Sequence, residues 1–293
     1  MHIVITGSLG NIGKPLTQDL VQQGHTVTVI SSNPDKQREI AQLGAIAAIG
    51  KLEDVHFLTA TLQGKDALFA MEPPNFEVPD HNEYYSTIAH SYVAAAKVTG
   101  LQRIVHLSSW GAHLEKGTGF ITGSYHAEQI LNTLQGVAVT HLRAGSFYTN
   151  MYSFADMIKH AGCIGANYGG EDRVVMVHPR DIATVAAEEL TKQESDRVRY
   201  VASTDITASA AAKAIGAAIG KPDLQWITLS DEELAKALLE RGMPAKMVIP
   251  LVELGAAIHS GAMRSDYDLH PPETMGTTTI EEFAQEFSVV YQE

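Results

Sequence analysis

Short apolar segments rich in β-branched residues alternate with segments of helical periodicity along residues 2–204. The series opens with HIVIT, PLTQDLVQQG, TVTVIS, PDKQREIAQLG and AIAAIG, which predicts strand, helix, strand, helix and strand. Further strands are predicted at DALFAM, RIVHLSS, VTHLRAG and RVRYVAS, with helices between them. Strands joined by helices of this length run parallel, because a tight turn cannot connect two parallel strands. The sequence therefore predicts an α/β fold with a doubly wound parallel sheet.

Beyond residue 205 the pattern changes to helix, loop and helix. TASAAAKAIGAAIG, SDEELAKALLERG, PAKMVIPLVELGAAIHSG and TTIEEFAQEF all carry helical periodicity. We therefore expect a main domain over residues 1–205 and a small, mostly helical C-terminal domain over residues 206–293. The alternation also weakens over residues 146–175, and we expect this stretch to contribute to a substrate cleft.

Charge and cysteine content exclude several classes of protein. The chain has 21 Lys and Arg against 34 Asp and Glu, a formal net charge of -13. This charge repels nucleic-acid phosphates and anionic lipids, so we expect no direct nucleic-acid partner and no membrane association. Cys163, the single cysteine, can form no internal disulfide. No secretion signal precedes HIVITG and no apolar run approaches the ~20 residues that cross a bilayer, so we expect a cytoplasmic location.

Three glycines spaced three residues apart follow the first strand and precede the first helix. In this setting the first glycine permits a sharp turn, the second lets the backbone approach a pyrophosphate, and the third lets the helix pack close to the strand. The N-terminus of the helix then offers N–H groups to phosphate oxygens. The alternative is an ordinary tight turn without a ligand. We predict a dinucleotide site formed by Gly7, Leu9, Gly10, Asn11, Ile12 and Gly13.

Other segments occur in the order found in a known family. They are TGSLGNIG, VISSNP, AMEPPN, VHLSSWGA, LRAGSFYTNM and VVMVHPRDIATVAAEEL. Together with the G-x-x-G-x-x-G spacing, they resemble the NmrA-like family of atypical short-chain dehydrogenases, which includes NAD(P)H-dependent quinone and triphenylmethane dye reductases. The resemblance covers residues 1–205 well and the tail loosely. It implies a Rossmann-like domain, a small C-terminal domain, and an NADP(H) or NAD(H) site between them.

The end of the second strand bears on the choice of cofactor. A carboxylate there would bind the ribose hydroxyls of NAD and repel the 2′-phosphate of NADP. The sequence has Ser31, Ser32 and Asn33 instead, without the arginine that relatives often carry at the place of Ser32. Lys36 and Arg38 lie near enough to substitute for it. NADP(H) is therefore favoured and NAD(H) stays open, while the alternative is that these polar residues only cap the next helix.

Further cofactor and substrate contacts are expected where later strands end. In a doubly wound sheet the carboxyl ends of the strands face the ligand. Additional predicted cofactor contacts are Met71, Glu72, Pro73, Ser108, Ser124, Gly145 and Phe147. Predicted substrate contacts are Trp110, Tyr148 and Asn150. The histidines show no ligand spacing, so we predict no metal site.

The pattern for proton transfer is incomplete. In the wider superfamily a tyrosine acts as the acid with a lysine four residues later, because the ammonium lowers the phenol pKa. Here Tyr125 is followed by Gln129, and the NmrA-like alternative, a Lys or His four residues before a Glu, meets Ser124 before Glu128. Ser109 stands where relatives carry a catalytic serine. Tyr125 and Ser109 are the catalytic candidates.

Two functions fit these residues. In the first, the protein is a reductase that transfers hydride from NAD(P)H to a small quinone-like or other conjugated acceptor, a reaction that needs little proton machinery. In the second, it is a non-catalytic NAD(P)-sensing regulator of the NmrA type that binds a protein partner. The long helix NEYYSTIAHSYVAAAKVTG either pairs with a second copy in a homodimer or packs on its own sheet.

Overall fold

The computed structural model describes residues 1–194 and 196–292, and it contains the predicted parallel sheet. The strands, in chain order, are β1 (His2–Ile5), β2 (Thr26–Ser31), β3 (Ile46–Ile49), β4 (Ala67–Ala70), β5 (Arg103–Ser109), β6 (Ala138–Ala144), β7 (Ser146–Phe147), β8 (Ile164–Ala166), β9 (Arg173–Val177), β10 (Val198–Val201), β11 (Thr204–Thr207) and β12 (Trp226–Thr228). Seven of them form the main sheet in the order β10-β6-β5-β4-β1-β2-β3. The β1–β2, β2–β3, β1–β4 and β4–β5 pairings are parallel. The predicted Rossmann-like fold class is therefore confirmed.

Helices follow most strands, as the periodicity predicts. They are α1 (Gly13–Gln22), α2 (Lys36–Gln42), α3 (Val55–Leu62), α4 (His81–Thr99), α5 (Ile121–Leu131), α6 (Ala155–Ala161), α7 (Pro179–Thr191), α8 (Ala208–Ala218), α9 (Asp231–Glu240), α10 (Ala245–His259) and α11 (Ile280–Gln292). Short 3-10 segments span Tyr148–Phe154 and Ala262–Arg264. Helix α5 begins at Ile121, which places Ser124 and Tyr125 on the helix.

The long helix α4 packs within its own chain. Asp80 caps its N-terminus by accepting from the backbone N–H groups of Asn82 and Glu83, and Gly100 ends it in the left-handed conformation. Its apolar face joins a core cluster under the sheet with residues of α3. The structure therefore shows α4 packed within its own chain, which is one of its two predicted arrangements. Pairing of this helix with a second copy in a homodimer stays a prediction.

The chain divides into two compact units that interleave along the sequence. The first comprises residues 1–108, 123–143 and 182–199, and it contains the greater part of the main sheet. The second comprises residues 109–122, 144–181 and 200–292. It holds a β11-β9-β7 sheet, the parallel pair β12-β8, and helices α8 to α11. The second unit thus includes the helical tail, and the boundary after residue 205 stays a prediction.

Hydrogen bonds to the buried Asp181 hold the tail within the second unit. The Asp181 carboxylate, at the start of α7, accepts from the Ser203 hydroxyl and from backbone and side-chain groups of Thr277 and Thr278.

Over residues 1–194 and 196–292, no helix combines the length and apolar character that crossing a bilayer requires.

Candidate cofactor site

The turn between β1 and α1 has the geometry that its glycines predict. Gly7 has φ of +85°, and a side chain added there would collide with the sulfur of Met71. A Cβ at Gly13 would collide with the backbone oxygen of Ser8, so the helix can approach the turn only because this residue has no side chain. At Gly10 the nearest atom to an added Cβ is the Gly7 oxygen at 3.4 Å, so a side chain would fit there in the protein alone. The close approach of the Gly10 backbone to a pyrophosphate therefore stays a prediction. The first turn of α1 contains no acidic residue that would repel a phosphate.

Hydrogen bonds join this turn to the end of β2. The Ser8 N–H donates to the Ile30 oxygen over 3.1 Å, and the Ser8 hydroxyl donates to the Ser31 hydroxyl over 3.0 Å. The Asn33 N–H donates back to the Ser31 hydroxyl oxygen. Ser31 is buried, whereas Ser32 and Asn33 are exposed. The predicted residues at the two strand ends are thus brought together, and Ser31 positions the backbone around it.

A second set of hydrogen bonds joins the ends of β1 and β4, on either side of the point where the strand order reverses. The Thr6 N–H donates to the Phe69 oxygen, and the Thr6 hydroxyl oxygen accepts from the Met71 N–H over 2.9 Å. The Tyr92 hydroxyl donates to the Met71 oxygen over 2.6 Å. Burial and the charge of Glu72 raise the pKa of Tyr92 well above its ordinary value, so this phenol stays a donor. Met71 is therefore fixed against the glycine turn by groups that the sequence analysis did not single out.

A buried layer of charged and polar side chains lies between α5 and the sheet. Glu128 accepts from the Arg143 Nε over 3.0 Å and from its Nη2 over 2.7 Å. Its Oε1 also accepts from the Ser108 hydroxyl over 2.6 Å. The pair is bidentate, the strong geometry for an arginine and a carboxylate. Ser108, a predicted cofactor contact, thus has its hydroxyl proton directed at Glu128.

The same layer contains two buried histidines in contact. The Nδ1 atoms of His106 and His141 are 2.9 Å apart, His106 Nε2 lies 2.9 Å from Glu72 Oε2, and His141 Nε2 lies 3.1 Å from Asn132 Oδ1. All four ring nitrogens are satisfied when a doubly protonated His106 donates to His141 and Glu72 and a neutral His141 donates to Asn132. The carboxylate of Glu72, another predicted cofactor contact, thus contacts the buried His106. Its Oε1 is buried with no hydrogen-bond partner in the described part of the chain.

The environments of the two histidines agree with that assignment. Burial disfavours the charged form of His106, but the charge and hydrogen bond of Glu72 and the charge of Glu128 outweigh it and raise the pKa of His106. Burial, together with the charges of His106, Arg143 and Arg197, lowers the pKa of His141 to about 2. The folded pair therefore holds one proton at neutral pH.

This shared proton predicts a bell-shaped pH dependence of stability. In the unfolded chain both histidines titrate near pH 6.5. Below that pH the unfolded pair binds two protons and the folded pair one, so the free energy of unfolding falls by about 1.4 kcal/mol per unit as the pH drops. Above it the folded pair keeps the His106 proton that the unfolded chain has released, so stability falls again as the pH rises toward the raised pKa of His106. Urea denaturation between pH 5 and 8.5 measures both limbs.

The matched variants separate this pair from other histidines. His141→Gln should remove the acidic limb, whereas His270→Gln, at an exposed position, should leave both limbs in place. An acidic limb that survives His141→Gln would assign it to other groups.

The remaining predicted site residues divide between the two units. Ser124 and Tyr125 lie on α5 in the first unit, with Ser124 buried and Tyr125 half-buried. Ser109 lies in the second unit, where its hydroxyl donates to the Trp110 oxygen. Tyr125 and Ser109 therefore stay catalytic candidates, each placed by a different unit.

The second unit buries two of the three predicted substrate residues. Trp110 is buried, and Tyr148 stacks on Phe283 and donates its hydroxyl proton to the Thr278 oxygen. Only the third, Asn150, has an exposed side chain. Gly145 donates its N–H to Val201, and Phe147 is half-buried in β7. The substrate contacts of Trp110, Tyr148 and Asn150, and the cofactor contacts of Gly145 and Phe147, stay predictions.

Several residues of the polar layer carry a signal that sequence reasoning could have used. His106 and Ser108 on β5, and His141 and Arg143 on β6, are polar residues two positions apart, so each pair lies on one face of its strand. Glu128 lies on α5, and Asn132 follows four residues later, directly after the end of that helix. Among residues 1–194 and 196–292 no cluster of three or more potential metal ligands is found.

Comparison with known proteins identifies relatives that span nearly the whole chain. An NAD(P)H azoreductase of Xenophilus azovorans is 26% identical over 99% of both chains. The solved structure of an NADPH-dependent quinone oxidoreductase of Escherichia coli, complexed with NADPH, has a TM-score of 0.80 at 23% identity and covers 97% of this chain and 99% of that one. A triphenylmethane reductase of Citrobacter also has a TM-score of 0.80, at 19% identity, covering 99% of this chain and 100% of that one.

A family model described as NAD(P)H-binding matches residues 7–193, from the first glycine of the turn to two residues past the end of α7. The match includes the glycine turn, the end of β2 and the polar layer under α5. The glycine turn and the end of β2 are the parts that the sequence predicts as a dinucleotide site, and the predicted family resemblance is confirmed. The chain belongs to the NAD(P)H-binding family.

Proposed function

We propose that the protein is an NAD(P)H-dependent reductase that transfers hydride to a quinone-like or other conjugated acceptor. The observation that carries the proposal is the end-to-end similarity to a protein named NAD(P)H azoreductase, since that similarity spans both units. The glycine turn, whose space next to Ser8 and Met71 exists only without side chains, supports the cofactor binding that this reaction requires. When bound, the nicotinamide cofactor supplies the hydride.

The chain's own residues have a limited part in this chemistry. The turn of residues 7–13 binds the pyrophosphate through backbone N–H groups and the N-terminus of α1. Met71, held by Thr6 and Tyr92, gives this edge of the site a fixed apolar wall. Tyr125 has no lysine four residues after it, because Gln129 stands in that place.

This incomplete acid favours a conjugated acceptor over a simple ketone. A quinone or an azo compound accepts hydride into a conjugated system, and the second hydrogen arrives as a proton from water, so the balance needs no dedicated acid. The product is a hydroquinone or a hydrazo compound, and the cofactor leaves oxidised.

We further propose that NADP(H) is the preferred cofactor. The residues at the end of β2, Ser31, Ser32 and Asn33, include no carboxylate. Lys14 and Lys36 both lie near this end of the strand. A cytoplasmic location and a homodimer or regulatory protein partner remain predictions.

The test follows NADPH absorbance with purified protein and a panel of simple quinones, azo dyes and triphenylmethane dyes. Saturable consumption that depends on both acceptor and protein is expected. Confirmed cofactor binding without turnover of any acceptor would overturn the reductase proposal and favour the cofactor-sensing regulator.

A further inference from the structure

Two lysines share one carboxylate beside the end of β2. Glu39 Oε1 lies 3.4 Å from the Lys14 Nζ, and Glu39 Oε2 lies 2.8 Å from the Lys36 Nζ. Lys14 follows Gly13 on α1, and Lys36 is the first residue of α2. The carboxylate therefore joins the helix of the glycine turn to the helix that follows β2.

This position is where a Rossmann-like fold distinguishes the two nicotinamide dinucleotides. The group on the adenosine ribose, a hydroxyl in NADH and a phosphate in NADPH, is recognised at the end of the second strand. The Ser8 and Ser31 hydrogen bonds bring the glycine turn to that strand end. Lys14 and Lys36 thus approach the same place from its two sides.

We propose that Glu39 is a specificity-determining residue that disfavours NADPH by occupying Lys14 and Lys36, so that a 2′-phosphate must displace its carboxylate. The inference rests on the proposed function as a nicotinamide-dependent reductase. It adds a residue that acts against the preferred cofactor.

The charges and exposure of the three side chains support this exchange. Lys14, Lys36 and Glu39 expose 49%, 41% and 36% of their side chains, so the phosphate of a ligand can reach them. Ion pairs this exposed are weak, about 1 kcal/mol or less, and can exchange partners readily. A phosphate offers several acceptor oxygens to the two ammonium groups, whereas the hydroxyl of NADH brings no charge to replace the carboxylate.

A purely structural role for Glu39 predicts a different result. If the carboxylate only joined α1 to α2, its removal would lower stability and change the affinity for both dinucleotides by the same factor. Discrimination between a phosphate and a hydroxyl is therefore the measurement that separates the two roles.

The test compares the Glu39→Gln variant with the unmodified protein by isothermal titration calorimetry at low salt. The ligands are NADPH, NADH, 2′,5′-ADP and 5′-AMP, the last two reporting on the adenosine end alone. Loss of one like charge near the phosphate should tighten NADPH and 2′,5′-ADP about fivefold and change NADH and 5′-AMP by less than about twofold. The gain should shrink at high salt, because the groups are exposed.

Two further variants complete the design. Glu240→Gln removes a carboxylate that pairs with Lys236 on α9 at 3.9 Å, and it should change none of the four affinities. Lys14→Met combined with Lys36→Met should weaken NADPH and abolish the gain from Glu39→Gln, since the carboxylate acts through those two groups.

The outcomes distinguish this inference from the proposed function. Equal effects of Glu39→Gln on all four ligands, or no effect on any, would overturn the role of Glu39 while leaving the reductase intact. Failure of the unmodified protein to bind either dinucleotide would overturn the proposed function and this inference with it.

Discussion

Gly13→Ala should weaken NADPH binding about 100-fold, which corresponds to about 2.8 kcal/mol, or one to two lost hydrogen bonds to a charged phosphate. The added Cβ would meet the backbone oxygen of Ser8, which is not a flexible side-chain end that could move aside. Either α1 or the turn must shift, and both carry the N–H groups proposed to bind the pyrophosphate. Fluorescence titration with NADPH measures the loss.

The controls for Gly13→Ala separate local from general effects. Gly165→Ala, in β8 of the second unit, adds a Cβ at an ordinary contact distance of 3.4 Å from Met157, and it should leave NADPH affinity unchanged. Gly10→Ala also fits the free protein, so it should weaken binding without lowering stability if the backbone here approaches the pyrophosphate. Unaltered NADPH affinity in Gly13→Ala would contradict the assignment of this turn.

Arg143→Met should lower the free energy of unfolding by about 3–5 kcal/mol, the cost of breaking a buried ion pair by removing one partner. The variant leaves Glu128 buried without the two guanidinium hydrogen bonds it accepts, with Ser108 still donating to it. Guanidinium chloride denaturation at pH 7, extrapolated linearly to water, measures the change.

Two comparisons show whether the loss comes from the unpaired charge. Arg173→Met removes a half-exposed arginine paired with Asp205 and should cost about 1 kcal/mol or less. Arg143→Met combined with Glu128→Leu removes both charges and should recover much of the stability. If Arg143→Met cost no more than Arg173→Met, the ion pair would not be what stabilises this layer.

The fold and the glycine turn could be predicted because their causes are local in the sequence. The alternation of strand and helix patterns fixes the sheet, and the three-residue glycine spacing is read directly next to β1. The contact of Glu128 with Arg143 is different, because it joins residues on α5 and β6 whose alignment depends on how the helix packs on the sheet. The polar residues were visible, but their pairing was not.

The predicted substrate residues show the same difference between features fixed by local sequence and features fixed by distant contacts. Trp110 and Tyr148 follow strands in positions where a ligand contact is plausible, yet both side chains are buried. The direction in which a side chain points after the end of a strand depends on neighbours distant in sequence. For Tyr148 these neighbours are Phe283 and Thr278. Sequence patterns predict where a strand ends more readily than where the next side chain points.

The interleaving of the two units has a consequence for folding during synthesis. The first unit is complete once residue 199 has left the ribosome, since its last segment is residues 182–199. The second unit has two earlier segments, residues 109–122 and 144–181, whose partners in residues 200–292 are synthesised afterwards. Strand β9 emerges before its antiparallel partner β11, and Tyr148 emerges long before Phe283. The nascent chain therefore passes through a stage at which the first unit can fold while apolar segments of the second unit have no partner segments to pack against. A chaperone would bind the chain at that stage.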